Sequence, residues 1–213
     1  MIFAENILIC IAFPMLLAMI FIRGDVRRFI AAFLLGMVIC LLSAYISGFL
    51  SYTAAMEEGE AKIFLSPVVE EIMKFLPLLV YLYLFVPDER PFVLVSMGIG
   101  TGFATFENCC HILNYGAGEI SYVMIRGMAV GVMHIVSILM LAMGLILVRR
   151  FRILSFSCIL GALSLSLMFH GLYNLLVSGR GAVQYIGYGI PVITAVVLYY
   201  PYKMLRSSGA ESA

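Results

Sequence analysis

The chain has 213 residues, 63% hydrophobic and 12% charged, with a formal net charge of +1 and a mean hydropathy of +1.09. So little charge cannot cover a water-soluble domain of this size, and no basic tract offers a surface for nucleic acid. Apolar stretches of about 20 residues suit helices crossing a hydrocarbon core of about 30 Å, and the lack of alternating strands excludes an outer-membrane barrel.

Hydropathy and punctuation predict spans at 3–22, 29–50, 64–86, 92–113, 122–148, 153–176 and 184–202. The first carries Glu5 and is followed, not preceded, by basic residues, which predicts a retained helix and not a cleaved signal peptide. Arg23, Arg27 and Arg28 close it, Glu57, Glu58, Glu60 and Lys62 separate the second span from the third, and Pro87-Asp88-Glu89-Arg90-Pro91 separates the third from the fourth. Arg149, Arg150 and Arg152 follow the fifth span, Ser178-Gly179-Arg180-Gly181 the sixth, and Lys203 and Arg206 the seventh. Apart from Lys62 and Arg180, these cations fall at alternate span ends, which predicts an N-terminus outside and a C-terminus in the cytoplasm. The expectation is an all-α, polytopic bundle of about seven spans forming one domain over residues 1–213. Cys10, Cys40, Cys109, Cys110 and Cys158 all lie in apolar spans and read as small fillers. Gly98 with Gly102, and Gly127 with Gly131, have the small-xxx-small spacing of helix contacts, and Asn108 reads as a bridge to a neighbouring backbone.

Ionisable residues inside spans cost ~2.5–3.5 kcal/mol each on insertion scales and call for a reason. Span three carries Glu70, Glu71 and Lys74, span four Glu107, Asn108 and His111, span five Arg126 and His134, and span six His170 and Asn174. Followed through the predicted topology, all of them fall in the outer half of the bilayer. Glu70 and Lys74, Glu107 and His111, and His170 and Asn174 are i,i+4 pairs that share a helix face. Adjacent Glu70 and Glu71 diverge by about 100°, so one can face a cavity while the other meets a neighbouring helix. Lys74 or Arg126 can hold one carboxylate ionised, and a second carboxylate desolvated beside it can act as a general base.

The chemistry that fits is hydrolysis within the membrane. One glutamate takes a proton from water, the water attacks a peptide carbonyl, and a histidine and an amide stabilise the oxyanion. Neither G-x-S-x-G nor H-E-x-x-H is present. With no compact ligand motif, the expectation is a site that needs no metal, and a zinc site from His134, His170 and Glu71 is the alternative. His111, at an interface, is read as hydrated and left out of the catalytic set. A small proton-coupled carrier and a non-catalytic binder of a partner helix are the rival classes. A carrier is disfavoured by the lack of repeats and of midplane binding groups.

Glu70-Glu71-Ile72-Met73-Lys74-Phe75, Gly102-Phe103-Ala104-Thr105-Phe106-Glu107-Asn108, Arg126 with His134, and His170-Gly171-Leu172-Tyr173 together resemble the PrsW family of intramembrane proteases, with a distant similarity to CAAX-processing and bacteriocin-processing membrane proteases. The resemblance implies a multi-pass protein of the bacterial cell membrane that makes the site-1 type cut of a single-pass anti-sigma factor near the outer face. It implies a water-activating role for Glu70 and Glu71, with Glu107, His134 and His170 as further essential groups. Where the PrsW pattern often has Asp, this chain has Asn174, as the CAAX-processing relatives do, which favours an oxyanion-stabilising amide.

Overall fold

The computed structural model describes residues 3–116, 118–150 and 155–210. Arg152, used above to orient the chain, lies outside them, as do residues 153 and 154 at the start of the sixth predicted span. The described residues form seven long helices: α1 (Ala4–Phe21), α2 (Gly24–Thr53), α3 (Ser66–Phe85), α4 (Glu89–Tyr115), α5 (Ile120–Arg150), α6 (Ser155–Val177) and α7 (Ala182–Ala210). Each predicted span falls on one of them. Five helices (α1, α2, α5, α6 and α7) are long and apolar enough to cross a membrane by length and composition. The other two carry charge within them: Glu70, Glu71 and Lys74 in α3, and Glu89, Arg90 and Glu107 in α4.

α5 is the axis of the bundle. Its first turns are exposed, but from Ala129 to Val148 most of its residues are buried, and Met133, Val136, Ile138, Leu141 and Leu145 are all fully enclosed. α3, α4, α6 and α7 pack against it, while α2 runs along α4. That last seam is built from glycine. A Cβ on Gly102 would lie 1.9 Å from the Phe33 carbonyl oxygen, and one on Gly36 would lie 2.1 Å from that of Ile99. Gly98 joins the same contact, where a Cβ would meet that of Ala32 at 2.7 Å. The expected Gly127–Gly131 contact is not formed: a Cβ at either position meets nothing within 4 Å among the described residues. Small residues permit close approach, but only a partner helix facing them makes a seam.

α1 is peripheral. None of its residues is buried, and Phe13, Leu17 and Phe21 are exposed. It lies against α2 and α4, and Tyr45 of α2 donates a hydrogen bond to Glu5. At the other end of these helices, Arg28 and Arg90 both reach Asp25, at 3.4 and 3.5 Å. The first and third polar connections therefore meet at one end of the bundle, although such exposed pairs add little stability.

The entry to α3 is irregular. A single helical turn, Glu58–Glu60, runs into a wider π-helical turn, Ala61–Leu65, and then into α3. Pro67 lies in the first turn of α3. Its ring opposes the carbonyl four residues back and it offers no N–H, so a regular α-helical approach is blocked and the turn widens.

Candidate active site

The polar residues of α3, α4, α5 and α6 converge on one locus, and α3 divides its two glutamates between two environments. Glu71 is fully buried among helices, as is Lys74 three residues on. Lys74 Nζ donates to Glu71 Oε1 at 2.5 Å, to His134 Nδ1 at 3.0 Å and to Ser137 Oγ at 3.1 Å. An ammonium has three hydrogens and no acceptor, so these partners exhaust it. Glu71 is equally committed: His170 Nδ1 donates to Oε1 at 2.7 Å, and Ser166 Oγ donates to Oε2 at 2.6 Å. The Phe103 ring sits 4.9 Å from Lys74 Nζ and covers the pair from α4.

Glu70, about 100° around the helix, turns the other way. It lines a cavity of about 190 Å³ together with Glu107, Arg126, His170 and Asn174. Its Oε2 is buried and has no hydrogen-bond partner among the described residues, with His170 Nε2 at 3.8 Å. Across the cavity Glu107 accepts a hydrogen bond from Arg126 at 3.2 Å and another from His134 Nε2.

The histidines carry their protons on opposite nitrogens. Lys74 can only donate to His134 Nδ1, so the ring proton is on Nε2, directed at Glu107. His170 gives its Nδ1–H to Glu71, which leaves Nε2 turned toward Glu70. The rings meet edge to face, with centroids 5.1 Å apart.

All six expected catalytic residues and both expected charge partners, Lys74 and Arg126, therefore gather in one region, with differing exposure. Glu70, Glu107, His170 and Asn174 line the cavity, as does Arg126, while Glu71 and Lys74 form the buried support behind His134 and His170. Asn174 Nδ2 donates to the Lys62 carbonyl at 3.0 Å, so its amide nitrogen is engaged with backbone. His111 Nε2 lies 3.0 Å from the Tyr122 hydroxyl. Asn108 does not form the expected backbone bridge through its carbonyl: Oδ1 is buried without a partner among the described residues.

Sequence reasoning missed Ser137 and Ser166, the neutral partners of the buried ion pair. Their spacing held the signal, since Ser137 follows His134 by three residues and Ser166 precedes His170 by four, so each shares a histidine's face. It also missed Tyr122, Gln184 and Tyr188 on the cavity wall.

A divalent metal fits this donor set. Ligand atoms of Glu70, His134 and His170 lie within 4.8 Å of one another, and two histidines with one carboxylate are a known catalytic zinc set. The unpartnered Glu70 Oε2 and the Glu71 carboxylate behind His170 match what a metal ligand and its outer support require. His134 would have to release its Nε2 proton, and Glu107 is hydrogen-bonded to that nitrogen. The carboxylate that completes the triangle is Glu70, where the sequence reading named Glu71. Glu71 is turned toward Lys74, Ser166 and His170 Nδ1, and these donors already occupy both of its oxygens.

Three carboxylates and two histidines, braced by the buried Lys74 and the half-buried Arg126 within a bundle of apolar helices, define the class: a membrane-embedded hydrolytic site. The family model described as PrsW family intramembrane metalloprotease matches residues 25–202, from the first turn of α2 well into α7. The chain belongs to that family, and it is a multi-pass membrane endopeptidase. No curated protein matches the chain, and no solved structure does.

Proposed function

We propose that this protein cleaves a peptide bond of a single-pass membrane protein near the outer face, and that Glu70 is the base that activates water. The observation carrying this reading is Glu70, which lines the cavity and whose buried Oε2 has no hydrogen-bond partner among the described residues, with His170 Nε2 3.8 Å away. A water bound there donates one hydrogen to Glu70 and the other to His170 Nε2. Glu70 takes the proton as the water oxygen attacks the carbonyl, and later gives it to the departing amine. Arg126, which lines the cavity, is the donor assigned to the oxyanion, in a site where low dielectric strengthens such a bond. Glu71 is the electrostatic partner that orients His170, and His134 orients Glu107.

A second reading is favoured by the Glu70–His134–His170 triangle and by the family's description as metalloproteases. Those three residues would hold a divalent metal such as zinc, which when bound supplies an acidified water and a Lewis acid. Glu107 then takes up the proton that Glu70 receives in the first reading.

The site-1 type cut of an anti-sigma factor follows from the resemblance of the motifs, as does placement in a bacterial cell membrane. The meeting of Arg28 and Arg90 at Asp25 puts the first and third connections at one end of the bundle, as alternating crossings require, and an N-terminus outside rests on the basic residues gathered at that end. The test is cleavage of a purified single-pass anti-sigma factor in proteoliposomes. Loss of cleavage in Glu70→Gln, with full activity in chelator, is expected for water activated by Glu70. Loss in chelator and recovery with zinc selects the metal reading. Undiminished cleavage by Glu70→Gln refutes both.

A further inference from the structure

The π-helical turn before α3 leaves a backbone group that the helix itself cannot satisfy. Within Ala61–Leu65 the hydrogen bonds reach five residues ahead, and the Ser66 N–H bonds the Ala61 carbonyl. The next carbonyl, Lys62, would take its bond from residue 67, which is Pro67 and has no N–H. The N–H four residues ahead, on Ser66, is already used. This carbonyl takes its donor from outside the helix, and at so exposed a position water and a side chain are both able to serve. Asn174 of α6 supplies it, with Nδ2 at 3.0 Å from the Lys62 oxygen. Because a carbonyl only accepts, the amide nitrogen is the end of Asn174 that must face it.

The position of this bond matters for the site. Asn174 lies one turn beyond His170 on the same face of α6, and Glu70 lies three residues after Pro67 in α3. Both Asn174 and Glu70 line the cavity. The bond therefore fastens the π-helical turn that leads into α3 to the helix that carries His170.

We propose that Asn174 is a positioning residue, which clamps the Lys62 carbonyl stranded by Pro67 and so holds Glu70 in register with His170. The proposal rests on the reading of Glu70 as the reacting carboxylate. It assigns Asn174 a role distinct from oxyanion stabilisation, and Asp at this position lacks the required donor when ionised.

The test is a double-mutant cycle in the full-length protein in proteoliposomes, with a single-pass anti-sigma factor as reporter. Asn174→Leu and Asn174→Asp are expected to lower kcat by up to about 100-fold through misplacement of the site, with little change in KM. Amide exchange over residues 61–66 is expected to rise about fivefold or more. Pro67→Ala restores an N–H within reach of the Lys62 carbonyl, so adding it to Asn174→Leu should recover most of the lost kcat and slow the exchange again. An oxyanion donor cannot be replaced in this way. A double variant as slow as Asn174→Leu overturns the proposal, and so does unchanged exchange in the single variants. The exchange measurement needs no substrate, so it judges the clamp even if the reporter is not cut. Wild-type cleavage by Glu70→Gln would remove the catalytic reading alone.

Discussion

Lys74→Met isolates the energetic role of the buried ion pair. The substitution keeps the length of the side chain and removes its charge, leaving the Glu71 carboxylate fully enclosed with only His170 and Ser166 as partners. Removing one member of a buried pair costs about 3–5 kcal/mol, because the remaining charge has neither water nor a counterion. For a chain of this size each kcal/mol lowers Tm by about 2–4 °C, so a fall of about 6–20 °C is expected. Thermal unfolding of the purified protein in detergent, followed by helix signal, reads this directly. Glu71→Gln/Lys74→Met removes both charges and retains an acceptor for His170, so it should melt much closer to wild type. If Lys74→Met melts within 2 °C of wild type, by the same scale, the pair does not hold the bundle together. If the double variant falls as far as the single one, shape and not charge is what the site requires.

Other outcomes follow from the same geometry. Ser166→Ala strips Glu71 Oε2 of its donor at 2.6 Å and should cost about 1–3 kcal/mol in unfolding free energy. Gly102→Ala places a Cβ 1.9 Å from the Phe33 carbonyl, so α2 and α4 must part, at a cost of about 1–3 kcal/mol. Gly127→Ala meets open space and should be neutral or slightly stabilising by the same thermal assay. In a background without native cysteines, Glu119→Cys should react with an impermeant maleimide added outside whole cells, and Asp88→Cys should not. The reverse pattern would invert the proposed topology.

Much of this architecture is legible in the sequence because a bilayer allows few ways to arrange an apolar chain. Each run of about 20 apolar residues becomes a helix, and each charged residue within one needs a destination. That logic led to Glu70, Glu71, Glu107, His134 and His170 and to their convergence. What it could not supply was the division of labour between adjacent glutamates, because a spacing of one residue says that they diverge and not which faces the cavity. Ser137 and Ser166 escaped notice because serine is ordinary in membrane helices and costs little when it bonds its own backbone. The glycines make the same point: Gly98–Gly102 and Gly127–Gly131 have identical spacing, and only the first pair has a helix opposite it.

The ion pair in α3 also bears on how the protein is made. Glu71 and Lys74 lie one turn apart and can neutralise each other as soon as α3 is helical, which eases entry of a charged segment into the bilayer. Their remaining partners arrive late, His170 being 99 residues downstream of Glu71. At a synthesis rate of 5–20 residues per second, α3 waits about 5–20 s before α6 can close the network. Through that interval a half-satisfied helix must be sheltered by α2 and α4, or by the insertion machinery, so nascent chains halted before α6 should be the ones that quality control removes.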